Sequence, residues 1–365
     1  MRMLDFTSAL YLGLQHPSGS LPAWTSLTLG KPAALEEPFG SRAVEQELAA
    51  LTGCDDALLA TSTLHAFFDL FAMLAGSGMA FFLDQSSYPI SRWAAQYAAG
   101  TRGDVTLFRA GDVEGLKWTL DRRPQVRPVI VTDGISPATG LPTRLAEYAN
   151  LATRRGGLVV ADDTQALGIL GVSPNASSPY GFGGGGSLRH VGIHSDEVVV
   201  VNSLAKAFGV PVAMVGGTGR LISQLRSKSL MRTHCSPPSA AVISAAAHAI
   251  GQNRCHGERL RARLSHNVAR LRRGLNQLAV AANRSLFPVQ PLRLARAGAV
   301  HEGLLQRGIG TILQRNPTSG PQLSFLLTAR HTAQEIDWAI ESLIQVIGAA
   351  RDTGAIGVYV HDSQP

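Results

Sequence analysis

Three groups of residues in this chain have types and spacings that could do chemistry. The first is Lys206, in Asn202-Ser203-Leu204-Ala205-Lys206-Ala207-Phe208-Gly209, directly after the apolar run Val198 to Val201. A lysine in a neighbourhood otherwise lacking charge loses solvation, gives up its proton more readily and becomes a nucleophile suited to a Schiff base. Taken singly, it reads better as a lysine at a strand end that merely reaches solvent. The second is Val159-Val160-Ala161-Asp162-Asp163-Thr164-Gln165, which puts Asp162 at the carboxyl end of a buried strand, the edge where open α/β sheets bind ligands. An aspartate there can keep a pyridine nitrogen protonated and so make the ring an electron sink, or it can simply cap a helix. The third is the turn Ala60-Thr61-Ser62-Thr63-Leu64-His65. Hydroxyl residues at a helix N-terminus offer free N–H groups and a positive dipole end to a phosphate, although most often they only cap. Ser203, three residues before the lysine, could add another hydrogen bond to a phosphate.

Positioning these groups requires a sheet with its turns on one edge. The middle of the chain alternates short β-branched runs with longer amphipathic stretches, the pattern of βαβ units around a mostly parallel sheet. Strands are expected at Ala57 to Thr61, Met79 to Leu83, Val129 to Thr132, Gly157 to Ala161, Glu197 to Asn202 and Val212 to Gly216. Helices are expected at Leu64 to Ala75, Tyr88 to Ala99, Pro142 to Arg155 and Leu221 to Ser227. After Pro237-Pro238 the pattern changes to a long helix ending near Gln277. Short strands follow near Leu286 to Pro291, Gly310 to Leu313 and Leu323 to Thr328, then a helix from Ala333 to about Ala350 with Thr332 and Glu335 spaced for a capping box. The segment Val172 to Arg189 is rich in Gly, Ser and Pro and reads either as a mobile flap or as an exposed connection.

Composition narrows the possibilities. A chain of 365 residues, 45% hydrophobic and only 16% charged, can bury a core and exceeds the size at which one core stops growing, so two unequal lobes are expected. Cys54, Cys235 and Cys255 are scattered and odd in number, which fits neither a disulfide framework nor a zinc site and points to a reducing cytoplasm. No metal site, secretory leader or membrane span is expected. The net charge of +7 does not imply nucleic acid, because the arginines are dispersed. Those in Glu258 to Leu275 fall at helical spacing around Leu260, Leu264, Val268 and Leu271, as on the solvated face of an amphipathic helix.

Together with Tyr11-Leu12-Gly13-Leu14, Val131-Thr132-Asp133-Gly134, Arg315-Asn316-Pro317-Thr318 and Leu326 to His331, these motifs resemble fold-type-I pyridoxal-phosphate (PLP) enzymes, and among them the α-oxoamine synthases. The resemblance implies an α/β fold: a major domain with a mostly parallel sheet and a smaller α+β C-terminal domain. It implies an N-terminal arm at 1–40 joining the small domain, a PLP-binding domain at 41–236, a C-terminal domain at 237–350 and a tail at 351–365. It makes Lys206 the Schiff-base lysine that later shuttles the Cα proton, and Asp162 the partner of the pyridine nitrogen. Ser62, Thr63 and Ser203 would meet the phosphate. Thr233 or His234 would reach the phosphate of a neighbouring subunit in a homodimer with shared sites. Asp133 joins the cofactor-binding set on the same ground.

The chain also departs from that pattern. The family's stacking histidine falls at Tyr88, whose ring can stack but whose phenol is a poor proton-transfer group near neutrality. The histidine near the ring hydroxyl falls at Gln165, which hydrogen-bonds without titrating. The arginine that clamps the amino-acid carboxylate falls at Ser324, a loss worth on the order of 1.5 to 3 kcal/mol. Arg315 could compensate or could be a surface residue. Two reactions therefore stay open: condensation of an amino acid with an acyl-CoA-type thioester, favoured by the whole-chain resemblance, and transamination of an amine or unusual amino acid, favoured by Tyr88 and Ser324. A PLP-fold protein without turnover is a third reading, against which intact Lys206 and Asp162 argue.

Overall fold

The computed structural model describes residues 3–100, 105–137, 139–193, 196, 198–276, 278, 285–294, 296–316 and 320–352. These form two compact units, one made of the N-terminal residues up to Gly13 with the chain from Arg259 onward, the other of Leu14–Glu258. The strands in chain order are β1 (Leu4–Asp5), β2 (Asp56–Ala60), β3 (Ala80–Asp84), β4 (Val105–Phe108), β5 (Pro128–Asp133), β6 (Leu158–Asp162), β7 (Val198–Ser203), β8 (Ala213–Gly217), β9 (Val289–Leu292), β10 (Ile309–Gly310), β11 (Ile312–Asn316) and β12 (Gly320–Leu326).

In the larger unit β2 to β8 build one seven-stranded sheet in the order β2-β8-β7-β6-β5-β3-β4. The pairs β7·β6, β6·β5, β5·β3 and β3·β4 are parallel, and β8 runs antiparallel to both its neighbours. Strands covered on both faces should be apolar almost throughout, and β5 and β7 are: Val129, Ile130 and Val131, and Val198 to Val201, are all at most 2% exposed.

Helices α1 (Ser41–Thr52), α2 (Thr63–Gly76) and α3 (Pro89–Ala99) come early in this unit. The i, i+3, i+4, i+7 set Phe67, Leu70, Phe71 and Leu74 of α2 is buried in one cluster with Val129, Val131, Val199 and Val201 of the sheet. Each such side chain contributes roughly 1.5 to 3 kcal/mol of burial, so α2 is fixed by its packing and its N-terminus is held in place at the sheet edge.

The sheet and helix expectations agree with the structure to within a few residues. The helix expected from Pro142 starts only at Leu145, because Pro142 is used in a bridge to Ile135. Strand β4 and helix α1 were not anticipated. The segment expected as a flap or an exposed connection is exposed at 172–177 and is anchored through the bridges Leu167↔Gly185 and Val172↔Phe182 and the bonds Gly183 N–H to Glu258 Oε1 (2.7 Å) and Asn253 Nδ2 to Gly183 O (3.0 Å). A Cβ on Gly185 would lie 2.2 Å from the Leu51 carbonyl oxygen, so this glycine serves close packing.

The smaller unit pairs β1 with β10 in parallel and joins β11-β12-β9 as an antiparallel sheet. The long helix Ala240–Asn276 passes from one unit into the other, and buries Leu264, Val268 and Leu271 as its periodicity requires; Arg261 is the exception to its solvated face, at 3% exposed. The final helix, Ala333–Asp352, starts with the capping box expected: Thr332 N–H donates to Glu335 Oε2 (2.7 Å) and Glu335 N–H to Thr332 Oγ1 (3.2 Å). Pro317, Thr318 and the tail after Asp352 lie outside the described residues.

Candidate active site

Register brings the chemistry-bearing turns to one edge of the large sheet. Asp133 and Asp162 end β5 and β6 as direct partners, and Asp162 is level with Val201 on β7. Ser203 ends β7 opposite Ala213, which in turn faces Ala60 at the end of β2. The turns carrying Ser62, Asp133, Asp162 and Lys206 therefore all leave from carboxyl ends on the same side, as does the turn after β3 that leads to Tyr88.

Lys206 sits half-buried in the turn after β7. Burial lowers its pKa, and the charges of Asp162 and Asp133 oppose that shift. Asp162 is 7% exposed, and its Oδ1 accepts the Thr164 N–H at 3.1 Å. Desolvation raises its pKa, with the Thr164 hydrogen bonds and Lys206 pulling it back. Asp133 is raised well above the usual carboxylate range by burial and by Asp162. The arrangement is one half-buried amine with weakened hold on its proton whose charge acts on two buried carboxylates.

Asp133 Oδ1 also accepts the Tyr88 N–H (3.2 Å), which fixes the backbone where Pro89 begins α3 and leaves the Tyr88 side chain half exposed. Thr164, which sequence reasoning missed, links two of the turns: its N–H binds Asp162 while its Oγ1 accepts the Ser203 N–H at 2.9 Å. The signal was present in the sequence as an aspartate with a hydroxyl residue two positions on. Gln165, next in the chain, is half-buried.

At the other end of this edge Ser62 is the N-cap of α2, accepting the His65 N–H at 3.4 Å, and Thr63 is the first helical residue. His65 Nδ1 lies 2.8 Å from both Thr61 Oγ1 and Ser62 Oγ. Thr233 is exposed on the short helix Leu230–His234, its hydroxyl donating to Ser229 O. Ser324 and Arg315 belong to the smaller unit. Ser324 is 1% exposed with an unpartnered Oγ, and Arg315 pairs through its backbone with Pro321. No group of three metal-ligating side chains occurs among the described residues, and no helix there is long and apolar enough to cross a membrane.

The donor set fits a phosphorylated aldehyde with a basic ring nitrogen: an amine that can be neutral, a buried carboxylate at the end of the neighbouring strand, and a hydroxyl-lined helix N-terminus. Comparison with known proteins agrees. Residues 26–343 match the family model for class I and II aminotransferases. The 8-amino-7-oxononanoate synthase of Nitrosococcus oceani is 30% identical over 360 residues, covering 95% of this chain and 92% of the relative. That of Alkalilimnicola ehrlichii is 31% identical over 313 residues, covering 84% of this chain and 76% of the relative. The fold is that of Sphingomonas wittichii serine palmitoyltransferase, at TM-score 0.83 and 21% identity over 98% of this chain and 88% of that one. It is also that of Francisella tularensis 8-amino-7-oxononanoate synthase, at TM-score 0.74 and 18% identity over 96% and 99% of the two chains.

Proposed function

The chain belongs to the class I and II aminotransferase family and, within it, to the α-oxoamine synthases; from that premise we propose that it is a PLP enzyme condensing an amino acid with an acyl thioester. The observation that supports the reading most is the register that puts Asp133 and Asp162 side by side at the carboxyl ends of β5 and β6, next to the turn after β7 that carries a half-buried Lys206 whose charge acts on both. When bound, PLP supplies a cationic ring that withdraws electrons from the substrate's Cα.

Lys206 Nζ would be the covalent anchor, and burial favours its neutral form, the form that could take the proton from Cα once the lysine is released. Asp162 holds the proton of the ring nitrogen; a cation there reinforces what Lys206 already does, favouring the charged carboxylate against burial. Tyr88 offers an aromatic face, steadied at its backbone by Asp133. Ser62 and Thr63 with the first amides of α2 hold the phosphate, and Thr164 keeps the Ser203 turn against that of Asp162. Gln165, half-buried one residue after Thr164, would hydrogen-bond the ring hydroxyl.

A cytoplasmic homodimer with shared sites belongs to the same proposal. Support comes from the free cysteines and from an apolar cavity of about 670 Å³ lined by Trp24, Leu27, Leu29, Phe39 and Ile243, with Phe39 wholly exposed. Sites assembled across such a face would employ the exposed Thr233.

The test is to give the holoenzyme amino acids and amines with and without acyl thioesters. Thiol release that requires both substrates is expected. Conversion of the cofactor to pyridoxamine phosphate without thioester would replace this reading by transamination.

A further inference from the structure

Ser62 alone suffices to cap α2, yet two more groups crowd the same turn. Thr61 Oγ1 and Ser62 Oγ both lie 2.8 Å from one atom, Nδ1 of His65. A ring nitrogen has either one lone pair or one hydrogen. If it is unprotonated, two hydroxyls compete for a single lone pair and one goes short. If it carries a hydrogen, that hydrogen is shared between two oxygens, and both hydroxyl hydrogens are released to point elsewhere. The second arrangement is complete only when an outside acceptor takes those hydrogens, and the site faces the first amides of a 14-residue helix, a place that favours an anion.

We propose that His65 is a positioning residue of the phosphate cradle: with its hydrogen on Nδ1 it donates to Thr61 Oγ1 and Ser62 Oγ and turns both hydroxyls outward as donors to the cofactor's phosphate monoester. Ser62 Oγ can do this while capping, because its two lone pairs accept from the His65 N–H and from Nδ1, and its hydrogen remains free. No net proton is required, since a neutral imidazole can carry its hydrogen on either nitrogen. His65 thus converts two ambivalent hydroxyls into two donors, whereas an alanine in its place would leave them free to rotate and to accept from each other or from water. The inference rests on the assignment of this turn to the phosphate.

The experiment compares PLP with pyridoxal, which has the same aldehyde and ring nitrogen but no phosphate. Dissociation constants of both for the apoenzyme are measured by absorbance titration in the wild type, His65→Ala, His65→Asn and Ser62→Ala, together with the ³¹P resonance of bound PLP. His65→Ala is expected to weaken PLP about tenfold, one charge-assisted contact's worth, and to leave pyridoxal unchanged. His65→Asn, whose amide N–H falls near the place of Nδ1–H, is expected to recover most of the loss and return the ³¹P resonance toward that of the wild type. Equal weakening of both ligands by His65→Ala, or none, overturns the role of His65. Melting temperatures show whether an equal loss is misfolding, and in that case His65→Asn repeats the comparison in a better-folded protein, where equal weakening of the two ligands overturns the role in the same way. If Ser62→Ala lowers the preference for PLP over pyridoxal and His65→Ala does not, only the histidine's part falls. If neither changes that preference while PLP still binds, the assignment of the turn to the phosphate is what fails.

Discussion

At the end of β6 two neighbouring aspartates are both buried, and their surroundings differ in kind. Asp162 has a cation acting on it, Lys206, and a single turn residue, Thr164, as its hydrogen-bond donor. Asp163 is held by neutral donors, the Ser187 N–H at 3.0 Å and the Ser187 hydroxyl, and the charge acting on it is that of Asp162, which pushes its pKa further up. A Cβ at Gly134 or Gly186 would come within 2.0 and 2.1 Å of its oxygens, so the backbone is packed against this carboxyl group. Burial is therefore a poor sign of a reactive carboxylate. What separates the two is whether the charge faces a partner that chemistry can use or is locked into the folding of a loop.

The sharpest way to break that contrast is to remove the cation. Lys206→Ala is expected to abolish the visible absorbance of the bound cofactor and to lower turnover by on the order of 10⁴ or more, with far-UV circular dichroism unchanged. An enzyme that kept its absorbance would show that another amine holds the cofactor. Next comes Asp162→Asn, nearly isosteric but unable to hold a protonated ring nitrogen by charge. We expect kcat to fall by roughly 10² to 10⁴ with little change in melting temperature. Asp163→Asn should do the reverse, altering stability while leaving kcat within about threefold. If both variants lose activity alike, the division of labour between the aspartates is wrong.

How much of this contrast the sequence carried can be read residue by residue. The runs of Val and Ile at 129–131 and 198–201 announced buried parallel strands, because strands covered on both faces leave no polar positions to confuse the period. Lys206 and Asp162 stand out in the sequence because Asp162 directly follows an apolar run and Lys206 comes five residues after Val201, at the end of another. Strand β4 was missed because it is a short edge strand, with Val105 and Thr106 partly buried and Leu107 exposed, and hence weakly patterned. The Gly-rich segment is exposed at 172–177, as one of its readings has it, and only three-dimensional packing shows Gly185 and Gly186 to be spacers against Leu51 and Asp163. The convergence of Thr61, Ser62 and His65 was equally invisible, since an i, i+3 hydroxyl–histidine pair is usually no more than a capped helix start.

A titration sharpens the comparison further. Burial lifts Asp163 to about 7, so the folded protein holds a proton there that the unfolded chain gives up near the ordinary carboxylate range. Between roughly pH 4 and 7 the folded state binds the extra proton, and stability from this group is full at the acid end and declines as pH rises through 7, at up to about 1.4 kcal/mol per pH unit. Urea midpoints measured from pH 5 to 8 should therefore fall more steeply in the wild type than in Asp163→Asn. Parallel curves for the two proteins would mean that Asp163 is ionised in the fold throughout.

The smallest expected effect isolates what holds Asp163. Ser187 opens the short helix Ser187–Val191 and gives Asp163 two donors, its N–H and its hydroxyl. Ser187→Ala removes only the hydroxyl, leaving the backbone donor and a methyl group in its place. Loss of one hydrogen bond to a buried acidic group costs about 1.5 to 3 kcal/mol when the group is charged and about 1 when it is protonated. The destabilisation should therefore grow from pH 5 to pH 8, as Asp163 ionises with one donor fewer, and the group's pKa should rise above its wild-type value because the hydroxyl bond favoured the charged form. Turnover should stay near that of the wild type at both pH values, since the Ser187 hydroxyl donates to Asp163, the member of the pair locked into the fold, and not to Asp162. A Ser187→Ala enzyme as stable as the wild type at pH 8 but slow in turnover would reverse the assignment and make Asp163, through its loop, part of the catalytic apparatus.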